Sequence, residues 1–172
     1  MALETLRLTL VPSTPQQILT LIDHPERFEE MVDLHAAEGL RAGFVSVEVA
    51  PAWLAALRAA SEPDPWHHGF FVVHRDTRTV IGSAGFKGSP DDGMVEIAYG
   101  IAPSFQGRGY ATEAARALVT FAFASGQVRL VRAHTLPVAN PSTRVLTKCG
   151  FRFAGGVTDP DDGPVWRWER DP

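Results

Sequence analysis

The stretch "APSFQGRGYATEA", residues 102–114, most limits what this chain can fold into. An apolar run precedes it and an alanine-rich run follows it, which predicts a turn between a strand and a helix. Gly107 and Gly109 lack a Cβ, so the turn can adopt positive φ and a ligand can approach its backbone. The first N–H groups of a helix have no intrahelical acceptor, and with the helix dipole they form an anion site. The stretch therefore predicts a phosphate-binding turn or, alternatively, a structural glycine turn that binds nothing.

The turn differs from two common nucleotide-binding motifs. A P-loop requires Gly-Lys-Ser/Thr, and "GRGYAT" contains no lysine. A dinucleotide motif requires a third glycine, where this chain has Thr112, and an acidic residue about 20 positions later, where it has "RLVRAH". Too few strands follow the turn for a doubly wound sheet. Both nucleotide interpretations are therefore disfavoured.

Periodicity predicts one mixed α/β domain of the α+β class over residues 1–172. Strands are predicted at 5–11, 69–75, 79–88, 94–102 and 130–136, and in the closing segments "FRFAGG" and "PVWRWER". Helices are predicted at 14–22, 51–61, 111–125 and 140–150, with another within "PERFEEMVDLHAAEG". The order places three consecutive strands in the middle of the domain, which is typical of a meander.

Composition excludes several classes of protein. The net charge of −4 argues against a nucleic-acid-binding protein, which would carry a basic face. The single cysteine, Cys149, gives no disulfide framework and indicates a reducing compartment. No apolar run approaches the ~18 residues of a membrane span, and "MALETLRLTL" is not typical of a signal peptide. We therefore expect a cytoplasmic protein with no membrane or nucleic-acid partner, and the spacing of its histidines predicts no metal site.

The segment "QGRGYA" matches the Q/R-x-x-G-x-G/A signature of the GNAT N-acetyltransferase superfamily, which binds the pyrophosphate of coenzyme A. The resemblance extends over residues 79–156, through "VEIAYGIAPSFQGRGYATEAARALVTFAF", "VRAHTLP" and "STRVLTKCGFRF". The opening "TLRLTLV" resembles the first strand of the ribosomal-protein N-terminal (alanine/serine) acetyltransferases. The resemblance implies a GNAT-type fold: a twisted mixed sheet of about seven strands flanked by helices, splayed between its fourth and fifth strands around the pantetheine arm.

The resemblance also implies where acetyl-coenzyme A binds. Gln106 would open the turn, and the pyrophosphate would bind the backbone amides of Gly107, Arg108, Gly109, Tyr110, Ala111 and Thr112. The strand residues Tyr99, Gly100 and Ile101 would pair with the pantetheine, and one N–H there would hold the thioester carbonyl. Asn140 stands one residue after the position of the family's coenzyme-binding asparagine, and a helix cap is its alternative role.

Acetyl transfer requires a neutral amine, and a lysine-type amine with a pKa of about 10.4 is protonated at pH 7. Glu96, between Val95 and Ile97 on the fourth strand, resembles the base of histone-type GNAT enzymes; a solvated surface glutamate is the alternative. His134, on the fifth strand, offers an imidazole with an ordinary pKa near neutrality, and a core or capping histidine is its alternative. Both remain candidate bases.

Many GNAT enzymes use a tyrosine of the last helix to protonate the leaving thiolate, and this chain has Leu146 at that position. Ser142, Tyr110 or water would replace it. The resemblance implies direct transfer of an acetyl group to a primary amine, on a protein N-terminus or a small molecule, by a monomer or homodimer. Residues 14–66 and the 159–163 turn would select the acceptor. A non-catalytic coenzyme A-binding protein and a nucleotide-dependent enzyme are the alternatives.

Overall fold

The computed structural model describes residues 1–45 and 51–172. Its strands are β1 Leu3–Glu4, β2 Leu8–Pro12, β3 His35–Ala36, β4 Phe70–His74, β5 Thr79–Phe86, β6 Met94–Ile101, β7 Leu130–Thr135, β8 Arg152–Asp159 and β9 Gly163–Arg170. Its helices are α1 Pro15–Asp23, α2 Phe28–Val32, α3 Ala42–Val45, α4 Pro51–Ala59, α5 Pro65–His68, α6 Tyr110–Ala124 and α7 Pro141–Lys148. Short 3₁₀ turns lie at Pro25–Arg27 and Pro103–Phe105.

The strands form one mixed sheet in the order β1-β2-β4-β5-β6-β7-β9-β8, with β3 added alongside β5. Only the β6–β7 and β3–β5 pairs are parallel within the described residues. The mixed α+β class is confirmed. The described residues form nine strands, whereas about seven were expected. The two additional strands, β1 and β3, have two residues each and are too short to show an alternating pattern.

The sheet opens between β6 and β7. These strands pair only through Met94–Glu96 and Leu130–Arg132. Beyond that point β7 keeps its pairing with β9 and β6 keeps its pairing with β5, while no β6–β7 pair follows among the described residues. The predicted splay between the fourth and fifth of the longer strands is therefore confirmed.

Helix α6 covers one face of the sheet. Its residues Ala114, Ala115, Leu118 and Ala122 are fully buried, as their spacing predicts. A second apolar cluster, built on α1, α2 and α4, covers the opposite face. Strand β4 supplies both clusters, since Phe70 belongs to the first and Phe71 to the second.

Most predicted helices are confirmed, and two regions differ. Thr14 caps α1 in a capping box with Gln17, as expected for its position. The helix predicted within residues 25–39 is short, because the chain turns at Asp33, which has φ of 55°. The helix α5, which the sequence analysis missed, has only four residues. No helix in the described ranges is long and apolar enough to cross a membrane.

Candidate functional site

The predicted glycine turn lies between β6 and α6. Gly107 and Gly109 have φ of 76° and 85°, in the left-handed region that favours glycine. A Cβ on Gly107 would meet no atom within 4 Å, so one side of the turn is open. Helix α6 starts directly after Gly109, and no side chain caps it. The turn therefore presents an uncapped helix N-terminus.

The amides of the turn are available to a ligand. In residues 1–45 and 51–172, no acceptor satisfies the N–H groups of Gly107, Arg108 and Gly109. The first turn of α6 adds the N–H groups of Tyr110, Ala111 and Thr112, which have no partner within the helix. These six donors and the α6 dipole can hold an anion of the size of a pyrophosphate.

Gln106 differs from these six residues because its donors are already hydrogen-bonded within the protein. Its N–H donates to the Pro103 carbonyl at 3.3 Å, and its side-chain amide donates to the Ile101 carbonyl at 2.8 Å. Gln106 therefore ties the start of the turn to the end of β6.

Arg7, which the sequence analysis did not select, fixes the turn from the other side. Its Nη1 donates to the Arg108 carbonyl at 3.0 Å, and its guanidinium lies 4.3 Å above the Tyr110 ring. With the Arg108 carbonyl turned inward to Arg7, the neighbouring amides are left to face outward. In the sequence, the only sign of this contact is the basic residue Arg7 within "TLRLTLV". Its partners lie about a hundred residues further along the chain.

Glu113, in the first turn of α6, holds Arg7 in place. Its carboxylate accepts from Arg7 Nε at 2.9 Å, from the Arg7 backbone N–H at 2.6 Å, and from the Thr5 hydroxyl. Burial alone would raise the pKa of Glu113, but the hydrogen bonds from Thr5 and Arg7 outweigh it, so the pKa lies below its ordinary value. These bonds also make a turn of residues 5–7, which is why β2 begins at Leu8 and not at residue 5.

The backbone of β6 has one side facing the gap. Lys87 N–H donates to the Glu96 carbonyl and Ala102 N–H donates to the Ile81 carbonyl, so even-numbered residues bond towards β5. The backbone groups of Tyr99 and Ile101 consequently face the gap. Gly100 is paired with Ser83 of β5, so its backbone N–H and C=O point away from the gap. Gly100 is exposed and has no side chain, so it leaves space beside the gap.

Glu96 lies at the other end of β6, roughly 16 Å from Ile101 by the rise of a strand. Its side chain is 17% exposed, and Lys87 Nζ lies 2.8 Å from Oε2. Burial lowers the pKa of Lys87, yet the ion pair with Glu96 and the charges of Asp162 and Asp159 outweigh it and raise the pKa. Among the described residues, neither Oε2 nor the nearby His134 Nδ1 has a hydrogen bond of acceptable geometry, so the contact of Oε2 with Lys87 is an ion pair.

The structure brings the two candidate bases together. His134 Nδ1 lies 3.1 Å from Glu96 Oε1, and the His134 side chain is 9% exposed. The other ring nitrogen, Nε2, accepts a hydrogen bond from Arg167 Nε at 3.1 Å. The sequence analysis missed Lys87 and Arg167, because only strand pairing brings them to this cluster.

The hydroxyl groups of Tyr99 and Ser142 lie on the face of the gap opposite Glu96 and His134. Burial raises the pKa of Tyr99 well above its ordinary value, the thiol of Cys149 adds to the shift, and a hydrogen bond with Ser142 opposes it. Tyr99 and Ser142 are therefore adjoining hydroxyls that stay protonated at neutral pH. Tyr110 points elsewhere: it packs beneath Arg7, with its ring 5.3 Å from that of His74.

Two further predicted positions serve the fold. Asn140 Oδ1 accepts from the Thr143 N–H at 3.0 Å and caps α7 in a capping box. Leu146 is fully buried in the core. Among the residues described, no group of three or more His, Cys, Asp or Glu side chains could hold a metal ion.

We predict that Glu113→Gln lowers the free energy of unfolding by about 1–3 kcal/mol at pH 7, because hydrogen bonds to a charged group are lost. The folded-state pKa of Glu113 lies below its ordinary 4.5, so its contribution is present above that pH and is lost as the pH falls through the folded value. The difference between parent and variant in urea unfolding should therefore shrink below pH 4. Glu62→Gln, at an exposed position, is the control and should change stability by less than about 0.5 kcal/mol. A difference that is unchanged between pH 7 and pH 3.5 would contradict the assignment.

The family described as Acetyltransferase (GNAT) domain matches residues 7–152. The uncharacterized N-acetyltransferase p20 of Bacillus licheniformis is 30% identical over 91 residues, which are 52% of this chain and 51% of that protein. The matches to curated relatives thus span about half of their length.

Solved structures show the same fold over nearly the whole chain. The ribosomal-protein-S5-alanine acetyltransferase from Vibrio fischeri is similar with a TM-score of 0.68 and 14% identity, covering 99% of this chain and 96% of that one. RimL, a ribosomal L7/L12 alpha-N-protein acetyltransferase in complex with coenzyme A, is similar with a TM-score of 0.61 and 16% identity, covering 99% and 98%. The glycine turn, the split sheet and the family match over residues 7–152 agree, and the chain belongs to the GNAT acetyltransferase family.

Proposed function

We propose that this protein is an N-acetyltransferase that moves an acetyl group from acetyl-coenzyme A directly to a primary amine. The observation that carries the proposal is the arrangement along β6. An uncapped anion site stands at one end of the split sheet, and the Glu96 carboxylate, 17% exposed and paired with Lys87, stands at the other. Membership of the acetyltransferase family supports the reaction. The similar RimL structure, which contains coenzyme A, supports the donor.

The donor would lie along the gap. Its pyrophosphate would accept hydrogen bonds from the six amides of residues 107–112, and the Arg108 side chain would add a positive charge. The pantetheine would pair with the gap-facing backbone of Tyr99 and Ile101, as an added strand pairs with a sheet edge. Gly100 would contribute space and no backbone hydrogen bond. Asn140 would act through the cap of α7, which begins beside the gap.

The acetyl group would then lie between Glu96 and the hydroxyl pair of Tyr99 and Ser142. The amine nitrogen attacks the thioester carbonyl, a gap-facing N–H of β6 stabilises the oxyanion, and the C–S bond breaks as the amide forms. The amine loses one proton to Glu96, and the thiolate gains one from Ser142 or from water. Glu96 fits the role of base better than His134, because Arg167 already occupies the Nε2 lone pair of the histidine.

The acceptor is proposed to be an amine on a polypeptide N-terminus or a small molecule. The similar ribosomal-protein acetyltransferases favour the first, since their names specify protein acceptors. Residues 14–66, of which 46–50 lie outside the described residues, and the 159–163 turn would select it. We place the protein in the cytoplasm as a monomer or homodimer. A protein that binds coenzyme A without turnover is the second candidate, and the absence of a tyrosine at Leu146 favours it.

We predict that Gly109→Val weakens coenzyme A binding by about 10- to 100-fold, because losing a hydrogen bond to a charged group costs about 1.5–3 kcal/mol. A valine cannot readily adopt the left-handed turn. Its Cβ would also lie 3.2 Å from Arg7 Nη2, against the guanidinium that holds the Arg108 carbonyl. Isothermal calorimetry measures the affinity.

Gly126→Val is the matched control, because Gly126 has φ of 75° and open space around its Cβ position, at the other end of α6. It should carry the same backbone strain and bind coenzyme A as the parent does. If folded Gly109→Val protein keeps the parental affinity, the turn is not the phosphate site.

We predict that Glu96→Gln lowers kcat by about 10²–10⁴-fold, because the amide cannot accept the amine proton. The affinity for coenzyme A should stay within about threefold of the parent, since Glu96 lies far from the turn. Release of free thiol from acetyl-coenzyme A, measured over a panel of amines and short peptides, gives the rates and identifies the acceptor.

Glu169→Gln is the control for loss of a carboxylate on this part of the sheet, because Glu169 pairs with Arg132 and has no role in the proposed transfer. Its kcat should stay near that of the parent. Parental turnover by Glu96→Gln would exclude Glu96 as the base. Coenzyme A binding by the parent without thiol release from any amine would favour the non-catalytic candidate.

A further inference from the structure

Arg167 makes a fixed contact with His134. The two residues stand directly opposite each other in the antiparallel β7–β9 pair, and Arg167 Nε donates to His134 Nε2 at 3.1 Å. A diagonal contact between the same two strands supports this register, because Trp168 Nε1 donates to the buried Thr135 hydroxyl at 3.1 Å. Because the His134 side chain is only 9% exposed, its ring contacts protein groups and little solvent.

This contact determines which nitrogen of His134 carries the proton. A guanidinium has N–H donors, has no acceptor, and does not lose its charge in proteins. His134 Nε2 must therefore be the acceptor, and a neutral imidazole then carries its proton on Nδ1. Nδ1 faces Glu96 and lies 3.1 Å from Oε1, without the alignment of a hydrogen bond among the described residues. A fully protonated ring would lose the bond from Arg167 and place two cations side by side.

We propose that Arg167 is a positioning residue for the transfer reaction. It holds His134 as the neutral tautomer protonated on Nδ1, so that an N–H of His134, and not a lone pair, faces Glu96 Oε1. The inference rests on the proposed function for its effect on rate. The tautomer itself is a property of the protein without substrate.

The other charged residues near Glu96 and His134 have ionic partners other than the His134 ring. Lys87 Nζ lies 2.8 Å from Glu96 Oε2. The charges of Asp159 and Asp162, from the β8–β9 turn, act on Lys87. The pKa of Asp159 is lowered chiefly by the backbone N–H groups of Asp162 and Asp161, with smaller contributions from Lys87 and His134.

On the adjoining strands, Arg132 donates to Glu169 Oε2 through Nε at 3.0 Å and Nη2 at 2.7 Å, so these two residues form an ion pair. Arg167 is thus the cation that contacts the His134 ring directly. Its removal should allow the ring to take up a second proton beside the Glu96 carboxylate. The carboxylate would then be a weaker base, increasingly so as the pH falls.

The first test reads the tautomer without any reaction. In ¹⁵N spectra of histidine-labelled parent protein at pH 7, His134 should show the neutral form protonated on Nδ1, with His134→Asn identifying the signal. Arg167→Gln should retain this form, because its amide can still donate to Nε2. Arg167→Met should lose it. The same Nδ1 form in Arg167→Met would overturn the proposal.

The second test follows thiol release at pH 6 and pH 8. Arg167→Met should lower kcat by about three- to tenfold at pH 7, a coupling common within one hydrogen-bond network. It should increase the ratio of the rate at pH 8 to that at pH 6 by about threefold or more relative to the parent. Arg167→Gln should restore most of the rate. Binding of coenzyme A should be unchanged in both variants.

Two comparisons show that Arg167 acts through His134. Arg152→Met, which removes a cation of the adjacent strand that pairs with Asp171, should change neither rate nor ratio. In a His134→Asn background, Arg167→Met should add nothing further, whereas a full additional loss would overturn the proposal. If the parent releases no thiol with any amine, the proposed function fails, and the ¹⁵N spectra still decide whether Arg167 sets the tautomer.

Discussion

The short parallel pairing between β6 and β7 is the constraint on which the rest of this structure depends. The strands share three residue pairs and then separate, which leaves the backbone of Tyr99 and the N–H of Ile101 facing the gap without a strand partner among the described residues. Unpaired backbone groups at a buried position are costly unless a partner satisfies them. The β5–β6 hairpin and the β7–β9 pair keep the two halves of the sheet rigid on either side. The separation therefore creates a slot that is suited to an extended ligand with alternating donors and acceptors.

The two ends of the slot are held by contacts that cross the whole chain. At one end, Arg7 and Glu113 join the N-terminal segment to the glycine turn, and this orients the amides outward. At the other end, Lys87, Glu96, His134 and Arg167 come from four different segments and meet on one face of the sheet. The proposed phosphate recognition and proton transfer would thus depend on the same strand, β6, because it supports both ends.

The sequence predicts the local features well. Helix α6 has a strict apolar face, and the glycine turn has its own conformational signature, so both follow from patterns within about fifteen residues. Glu96 is recognisable as a charged residue between two apolar ones. The cap at Asn140 follows from the Asn-Pro pair before the helix.

Long-range pairing limits the rest. Arg7 and Glu113 are separated by 106 positions, and His134 and Arg167 by 33, and no local pattern links either pair. The two-residue strands β1 and β3 form only by pairing with the longer strands β2 and β5. Whether Gly100 gives its backbone to the gap or to β5 depends on register, which a single strand does not reveal.

The most direct measurement is a crystal structure of the protein soaked with coenzyme A. The account predicts that the pyrophosphate lies on the amides of residues 107–112 and that the pantetheine runs through the gap beside Tyr99 and Ile101. The sulfur should end between Glu96 and the Tyr99–Ser142 hydroxyl pair. Coenzyme A bound elsewhere, or with its sulfur outside the gap between β6 and β7, would contradict the account.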